Sequence, residues 1–485
     1  MTPHYRSIVL AAALALLPAL AFAQADDALA AATRRAIETN PEITGRLNGV
    51  RASLEAVSAA RAGFLPRLDA DANVGRTNDV ITTRLPQSAS LDQNGVALSV
   101  TQLLWDGQAL SQQINRLDHD RRARWFDLLD ATEQTALDAV RAYIDVVRTR
   151  RLVDLAEDNY VQHRYVFQQI RSRVGAGVGR GVDLEQANAR LALAESNLTT
   201  ETTNLHDVTT RFLRVVGELP GQRPPRPTVI GSSMPGSAAE AMSLALRNSA
   251  AVSAAIENLR ATRASVRERE SAFQPRLEAR VRAGSGRNYD GVPDQKQDVT
   301  GGIALTWNLF RGGGDQARVR EQTYQMNQAA DLRDKACRDA RQTAAIGFND
   351  VVKLDELLVA LDRNVLSIEK ARDAYRQQFD IGQRSLLDLL NSENEVYTAR
   401  RSYVNADYDR MIAQARVLAS MQQLTRRLGL RAPMEDPDAG GDNWSAGEDV
   451  PSRCPVVVAE IVTTPRSELD ARAQRMLQAA PPVSR

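Results

Sequence analysis

The feature that most constrains the fold is a very long stretch without helix-breaking residues. After Gly107 the chain reaches Ile170 without a proline or a glycine, and a second stretch, from Gly314 to Phe379, is interrupted only by Gly347. A helix of about 64 residues would be roughly 96 Å long. Small globular domains do not bury helices of this length, and such a pattern indicates a coiled coil. The sequence therefore predicts an elongated helical protein.

The segments that follow these stretches carry apolar residues at alternating spacings of three and four. The seam of the first segment consists of Leu184, Ala187, Leu191, Ala194, Leu198, Leu205, Val208, Phe212 and Val215, with Glu201 as its one misfit. We call this row of residues the seam, and the second segment has a similar row beginning at Leu389. Many residues of both seams are small, which allows two helices to approach closely. We therefore expect each long helix to form an antiparallel hairpin with the helix that follows it.

The two halves of the chain resemble each other. Three segments recur in the same order about 205 residues later. They are Phe64–Ala70 and Phe273–Ala279, Leu98–Gly107 and Ile303–Gly312, and Val182–Leu184 and Leu387–Leu389. A period this long indicates a duplicated half-molecule and not a solenoid of short repeats.

Each half also contains two short segments in which apolar and polar residues alternate. These predict strands at about 67–76, 95–104, 276–285 and 300–309. In the first, Leu68, Ala70 and Ala72 share one face, while Asp69 and Asp71 share the other. A period of two with one polar face is typical of a half-buried strand. Two structures fit this pattern: an antiparallel sheet with its polar face in water, and a membrane β-barrel with its apolar face outward.

Residues 1–23 are predicted to be a secretory signal peptide. An apolar stretch ends at Ala21-Phe22-Ala23, which has the small-x-small form of a cleavage site. No later run of about 18 apolar residues follows, so no transmembrane helix is expected.

Composition argues against several classes of function. Lys and Arg number 61 against 60 Asp and Glu, and the net charge of +1 gives no overall attraction to nucleic acid. The 2 cysteines exclude a disulfide framework or a cysteine-rich metal module. The chain contains no His-Glu-x-x-His, phosphate-binding loop, Ser/His/Asp signature or Cys-x-x-Cys. We expect no enzymatic activity, no cofactor and no bound metal.

Local motifs make the resemblance to a known family specific. The segment from Phe379 to Asn391 resembles the second hairpin turn of the TolC-like outer membrane efflux and type I secretion channels. Phe64-x-Pro-x-Leu and Trp307-x-Leu-Phe resemble the sequences that flank that family's strands. The resemblance implies an α+β membrane protein that forms a homotrimer. Each chain would contribute four strands to a twelve-stranded β-barrel, and its coiled-coil helices to an α-barrel in the periplasm.

The expected organisation follows from the duplication and the resemblance. The signal peptide is followed by a first repeat, a linker, a second repeat and a flexible periplasmic tail. Their expected ranges are 24–220, 221–236, 237–430 and 431–485, in that order. In the tail, the apolar run Val456–Val462 is a candidate to pack back on the helices. Cys337 and Cys454 could pair in an oxidising compartment, but the expectation favoured here is a free or buried Cys337.

By resemblance, the function is that of an exit duct in the outer membrane of a Gram-negative bacterium. Such a duct works with a periplasmic adaptor and an inner-membrane transporter, and is embedded in outer membrane lipid. The segment from Gln378 to Glu395 resembles the branch that exports large toxins or adhesins. Small-molecule efflux is the alternative cargo class. A periplasmic coiled-coil adaptor that forms no channel is the alternative from a different class.

The resemblance places a gate at the periplasmic hairpin tips, where Gly175, Gly177 and Gly382 permit tight reversals. It implies that Asp183 and Arg384 are linked when the duct is closed. The alternative is that Asp183 caps its helix and that Arg384 is a solvated turn residue.

Three further residues belong to this expected gate. In a trimer, Asp388 would form a ring of three carboxylates, which favours cations; alternatively, it is an ordinary carboxylate at a helix start. Asn391 stands where the family usually has a second acidic residue. Phe379 stands where the family often has tyrosine.

Overall fold

The computed structural model describes residues 27–80, 82–83, 85–231, 234–434, 444–459 and 461–479. The predicted signal peptide lies outside this range. Among the described residues, no helix has the apolar length needed to cross a membrane.

The two long stretches form two helices of equal length. Helix α3 (Ala109–Gly175) and helix α7 (Gly314–Asp380) each contain 67 residues. Each packs along the helix that follows it, α4 (Gly181–Val216) or α8 (Leu386–Ser420). The remaining helices are α1 (residues 27–39), α2 (Pro41–Arg61), α5 (Ala238–Asn248), α6 (Ala250–Glu270), α9 (Leu424–Arg427) and α10 (Arg466–Ala479). The two antiparallel hairpins expected from the seams are therefore present.

The four strands form one antiparallel sheet in chain order. They are β1 (Arg67–Val80), β2 (Ser88–Trp105), β3 (Arg276–Arg287) and β4 (Gln297–Thr306). Strands β1 and β2 are longer than the alternation predicted, because their pairing continues through the polar residues to Val80 and Ser88. Strand β2 pairs with β3, so the sheet joins the two halves of the chain.

The two faces of the sheet differ in chemistry. Cross-strand register places Leu68, Val100 and Val281 on one face, where all three side chains are exposed. On the opposite face, Ser99 of β2 pairs with Asp69 of β1 on one side and with Arg282 of β3 on the other. Within one chain, β1 and β4 each keep one unpaired edge. An exposed apolar face with two open edges is unstable in isolation and calls for further partners.

The main core lies midway along the helices, where both halves meet. Val140 and Ile144 of α3 are fully buried, and they belong to the same cluster as Ala415 and Leu418 of α8. Glu201 of α4, the one residue that does not fit the predicted apolar seam, has a charged partner on α8. Glu201 is only 2% exposed, and its Oε1 atom lies 2.8 Å from Nη2 of Arg401 on α8. A buried carboxylate without a partner would be strongly destabilising, so this pair explains how the seam tolerates Glu201.

The structure corrects the expectation of a flexible tail for one segment of that tail. Residues 444–455, here called the strap, lie across α3, α6 and α7. The Trp444 ring packs edge-on against Phe126, with centroids 4.9 Å apart, and its Nε1 donates to Glu257 at 2.8 Å. The strap ends in a disulfide between Cys454 and Cys337 of α7, so the expectation of an unpaired Cys337 was wrong.

Charge pairs explain why the strap is held. Asp449 accepts from Arg260 at 3.0 Å and from Arg263 at 2.6 Å, and Arg453 pairs with Asp334 at 2.7 Å. The two arginines hold the pKa of Asp449 below its usual range, against the effect of burial. The apolar run after the strap does not pack back as expected, since Val457, Ile461 and Val462 are exposed. The strap is therefore fixed by ion pairs, by the disulfide and by the packing of Trp444, while the apolar run after it is exposed.

Candidate gate at the hairpin tips

Both hairpins reverse through the same backbone motif. The amide of Gly177 donates to Val174 and that of Val178 to Arg173; in the second hairpin, Gly382 donates to Phe379 and Gln383 to Gln378. These are Schellman motifs, in which a left-handed residue after the helix satisfies its last carbonyls.

The glycines of the first turn are not equally necessary. Gly177 and Gly382 have φ of +76° and +79°, a region that other residues rarely adopt. Gly175 has no positive φ, and a Cβ there would meet nothing within 4 Å, so its conformation does not require glycine. At Gly179, which the sequence analysis did not single out, a Cβ would lie 2.8 Å from Cγ2 of Val174. The necessary glycines are therefore those with positive φ or a close approach.

The two returning helices begin differently. Ser385 caps α8: its Oγ accepts from the amide of Asp388 at 3.2 Å and donates to the Asp388 carboxylate at 2.9 Å. Helix α4 begins after Arg180, which provides no side-chain cap, and Asp183 lies in its first turn. Both aspartates are thus favourably placed near a helix N-terminus.

Arg384 is engaged within its own hairpin. Its Nε donates to Gln378 at 2.9 Å, its Nη1 lies 3.6 Å from Asp388, and its guanidinium lies 4.6 Å from the ring centroid of Tyr375. Among the described residues of this single chain, no hydrogen bond or ion pair joins Arg384 to Asp183.

Phe379 packs inside the tip. Its ring is buried in a cluster that takes residues from all four long helices: Val166 and Ile170 of α3, Ala187 of α4, and Leu386, Leu389 and Leu390 of α8. The guanidinium of Arg173 lies 5.3 Å from its centroid, within the range of a cation–π contact. The cluster joins the first hairpin to the second.

Asn391 connects the same two hairpins through a polar contact. Its Oδ1 accepts from Nη2 of Arg190 on α4 at 2.6 Å. Sequence analysis singled out Asn391 only for its missing negative charge, and did not identify Arg190. No sequence pattern signals such a pair, because both residues are common on exposed helix faces.

A buried carboxylate with two arginines lies beside this contact. Glu393 of α8 accepts from Arg376 at 2.5 Å and from Arg372 at 3.2 Å, both on α7. Arg376 also donates to Oε1 of Gln162 on α3 at 2.9 Å. This group was not predicted either.

His163 of α3 lies near the same carboxylate. Its side chain is buried, and its Nδ1 has no hydrogen-bond partner among the described residues. Burial lowers the pKa of His163 and Arg190 adds to this effect, while Glu393 opposes it. Burial therefore favours the neutral form of the imidazole. In the described part of the chain, no cluster of three His, Cys, Asp or Glu side chains could hold a metal ion.

Comparison with known proteins adds a family match. The family model described as outer membrane efflux protein matches residues 32–218 and 241–421, one segment in each half.

Two curated relatives and one solved structure illustrate the similarity. The chain is 24% identical over 425 residues to the outer membrane efflux protein BepC of Brucella suis, covering 86% of this chain and 91% of the relative. It is 26% identical over 399 residues to the alkaline protease secretion protein AprF of Pseudomonas aeruginosa, covering 79% and 82%. The open-state structure of the MtrE outer membrane channel of Neisseria gonorrhoeae superposes with a TM-score of 0.72 at 16% identity, covering 82% of this chain and 90% of that one.

Proposed function

Because the chain belongs to the outer membrane efflux protein family of TolC-like channels, we propose that it is the outer membrane exit duct of a tripartite export system. The sheets of three copies would assemble into a twelve-stranded β-barrel, and their helical hairpins would assemble into a periplasmic α-barrel. The observation that carries this proposal is the sheet, with an exposed apolar face, a polar opposite face and two open edges. Closing the edges between copies satisfies the backbone groups that lipid cannot.

The cargo we propose is a large secreted protein, either a toxin or an adhesin, exported by type I secretion. Two observations support this choice. The short segment from Gln378 to Glu395 resembles the branch of the family that exports large toxins or adhesins. The chain is also similar to a protein named for alkaline protease secretion. Small-molecule efflux is the second candidate, supported by the similarity to BepC, which is named an efflux protein. A periplasmic adaptor and an inner-membrane transporter would supply recruitment and energy.

Opening would occur at the hairpin tips. We place the closing link between Asp183 of one chain and Arg384 of the next, because Arg384 is exposed and its partners among the described residues all belong to its own hairpin. Asp388 is the candidate for a carboxylate ring, and Asp388→Asn should then reduce the preference for cations over anions.

Reconstitution in a planar lipid bilayer tests the duct. Purified full-length protein should form a heat-modifiable trimer and conduct ions across the film. A coiled-coil adaptor would do neither, so a monomer without conductance would refute the proposal. Deletion of the gene, followed by comparison of secreted proteins and of drug sensitivity, separates the two cargo classes: loss of one secreted protein supports type I secretion, and increased drug sensitivity alone supports efflux.

A further inference from the structure

The turn between β3 and β4, here called the Tyr289 loop (residues 288–296), folds back over the sheet. It lies at the end of the sheet that is farthest from the helices, because α6 leads into β3, and β4 leads to α7, at the opposite end. The side chain of Tyr289 is only 2% exposed. Connecting turns run over the protein surface, so a large buried side chain in this one indicates a fixed position on the sheet.

The ring of Tyr289 lies on the polar face of the sheet. A Cβ added at Gly284 of β3 would collide with its hydroxyl group, and a Cβ added at Gly95 of β2 would lie 2.6 Å from its Cδ2. Gly284 and Arg282 are alternate residues of β3, so both belong to the polar face described above. Glycine inside a strand often marks a site where another group approaches closely. The two glycines therefore form a recess that accommodates this ring.

The Tyr289 loop is also held by polar contacts to both central strands. The guanidinium of Arg282 lies 5.5 Å from the ring centroid of Tyr289, and its Nη1 donates to Asp290 at 3.0 Å. Nδ2 of Asn288 donates to the carbonyl of Asp92 on β2 at 2.7 Å. The side chains of Arg282 and Asp290 are more than two-fifths exposed, and an exposed ion pair is weak. The loop is thus positioned on the sheet but can be displaced from it.

The position of the loop has a consequence for the proposed duct. The polar face would line the lumen, and the end of the sheet far from the helices would open to the outside. Three copies of the Tyr289 loop would then lie just inside the outer mouth. We propose that these loops form a constriction at the extracellular mouth of the duct, and that Tyr289 determines the size of the solutes that enter from outside. The proposal rests on the duct function proposed above and concerns the end opposite the hairpin tips.

Labelling of a cysteine inside the lumen, on intact cells, tests the constriction. Thr101 pairs with Arg280, which lies farther from the loop than Arg282, so Thr101→Cys places a thiol behind the constriction. The native cysteines are joined in a disulfide and do not compete for the reagent. N-ethylmaleimide should label this thiol rapidly, and a maleimide carried on a polyethylene glycol chain should label it slowly.

Two substitutions in this background should open the mouth by different routes. Tyr289→Ala removes the ring, and Gly284→Ala displaces it through the added Cβ. Each should raise the labelling rate of the bulky reagent about tenfold, the order expected when an aromatic and cation–π contact is lost. The rate for N-ethylmaleimide should not change.

Two further variants are controls. Tyr289→Phe keeps the ring, and the hydroxyl that it loses has no hydrogen-bond partner among the described residues. Gly302→Ala is the matched glycine control, since Gly302 pairs with Arg280 on the same polar face and a Cβ there would meet no described atom within 4 Å. Both should label like the Thr101→Cys parent. A rate for the bulky reagent that is the same with and without Tyr289→Ala, or that Gly302→Ala raises equally, would overturn the constriction while the duct stands.

A cysteine on the other face makes failure of the duct itself distinguishable. Leu98 lies on the apolar face, which would contact lipid, so Leu98→Cys should react with neither reagent. If Leu98→Cys and Thr101→Cys react equally with N-ethylmaleimide, the sheet does not line a lumen and the duct proposal fails together with the constriction. Only variants that form a heat-modifiable trimer are compared, and Tyr289→Ala decides the result if Gly284→Ala does not assemble.

Discussion

Nη1 of Arg384 lies 3.6 Å from Oδ2 of Asp388, one helical turn further along the same hairpin. Both side chains are about two-fifths exposed, and an ion pair of this kind is weak in water. Asp388 therefore does not hold Arg384 firmly, and a carboxylate of a neighbouring chain can compete for it.

The first prediction concerns this competition. Arg384→Ser should raise the conductance of the closed channel, because it removes the proposed link to Asp183 of the next chain. Asp388→Ala should not raise it, since Arg384 then loses only its weak partner within the hairpin. Single-channel conductance of both variants checks the prediction, and an unchanged closed state in Arg384→Ser would contradict it.

The second prediction concerns the disulfide of the strap. It closes a loop with a sequence separation of 117 residues. Cross-linking a loop of this size lowers the entropy of the unfolded chain. This raises the free energy of unfolding by up to about 4–5 kcal/mol. Replacing both Cys337 and Cys454 by Ser should therefore lower the melting temperature of the protein.

Dithiothreitol provides the control for this prediction. It should lower the melting temperature of the wild type to that of the double variant, and should leave the variant unchanged. Equal melting temperatures for oxidised wild type and variant would show that the ion pairs of Asp449 and Arg453 hold the strap without the covalent bond.

The third prediction concerns Glu133, whose carboxylate accepts from the amides of Leu424 and Thr425 at the start of α9. Burial raises its pKa from 4.5 to about 7. Between these values the folded chain keeps a proton that the unfolded chain has lost. The contribution of Glu133 to the free energy of unfolding is therefore fully present below pH 4.5. It falls by up to about 3 kcal/mol as the pH rises towards 7.

Glu133→Gln should remove this part of the pH dependence. Melting temperatures of wild type and variant between pH 5 and 8 check it: the two curves should differ in slope below about pH 7 and run parallel above it. Curves that are parallel throughout would mean that the amides of Leu424 and Thr425 and the Thr425 hydroxyl, which all donate to Glu133, keep it ionised.

The fourth prediction separates the glycines of the first turn. Gly177→Ala should destabilise the tip by about 1–2 kcal/mol, because alanine is strained at a left-handed φ. Gly175→Ala should be neutral or stabilising by about 0.5–1 kcal/mol, since it replaces glycine at the end of a helix where there is space for a Cβ. Thermal unfolding of the two variants, two positions apart, provides the comparison. A loss of stability in Gly175→Ala would contradict the argument.

The elongated helices, the duplication and the strands could be predicted because each depends on a local pattern. Absence of proline and glycine predicted α3 and α7, and alternation predicted the strands. The extra length of β1 and β2 could not be predicted, because residues such as Asn78 and Ser90 are paired through the backbone and show no apolar alternation.

The strap and the charged group around Glu393 were missed for a different reason. Asp449 and Glu393 belong to residue types that most often lie in water, and their burial depends on arginine partners on other helices. The pairing of Cys337 with Cys454 likewise depends on the path of the strap. Local sequence carries no signal for such contacts.

The pairing of β2 with β3 has an evolutionary consequence. Strand β2 of the first half pairs with β3 of the second half, and two identical half-length chains could pair in the same way. Six half-length ancestors could therefore have built the ring that is proposed here for three chains. Fusion of two ancestors freed the equivalent positions to diverge. At the tips this divergence is visible: the second turn carries Arg384 where the first carries Gly179, a glycine whose Cβ the backbone excludes. One half could thus acquire a charged residue for control, while the other kept the compact bend.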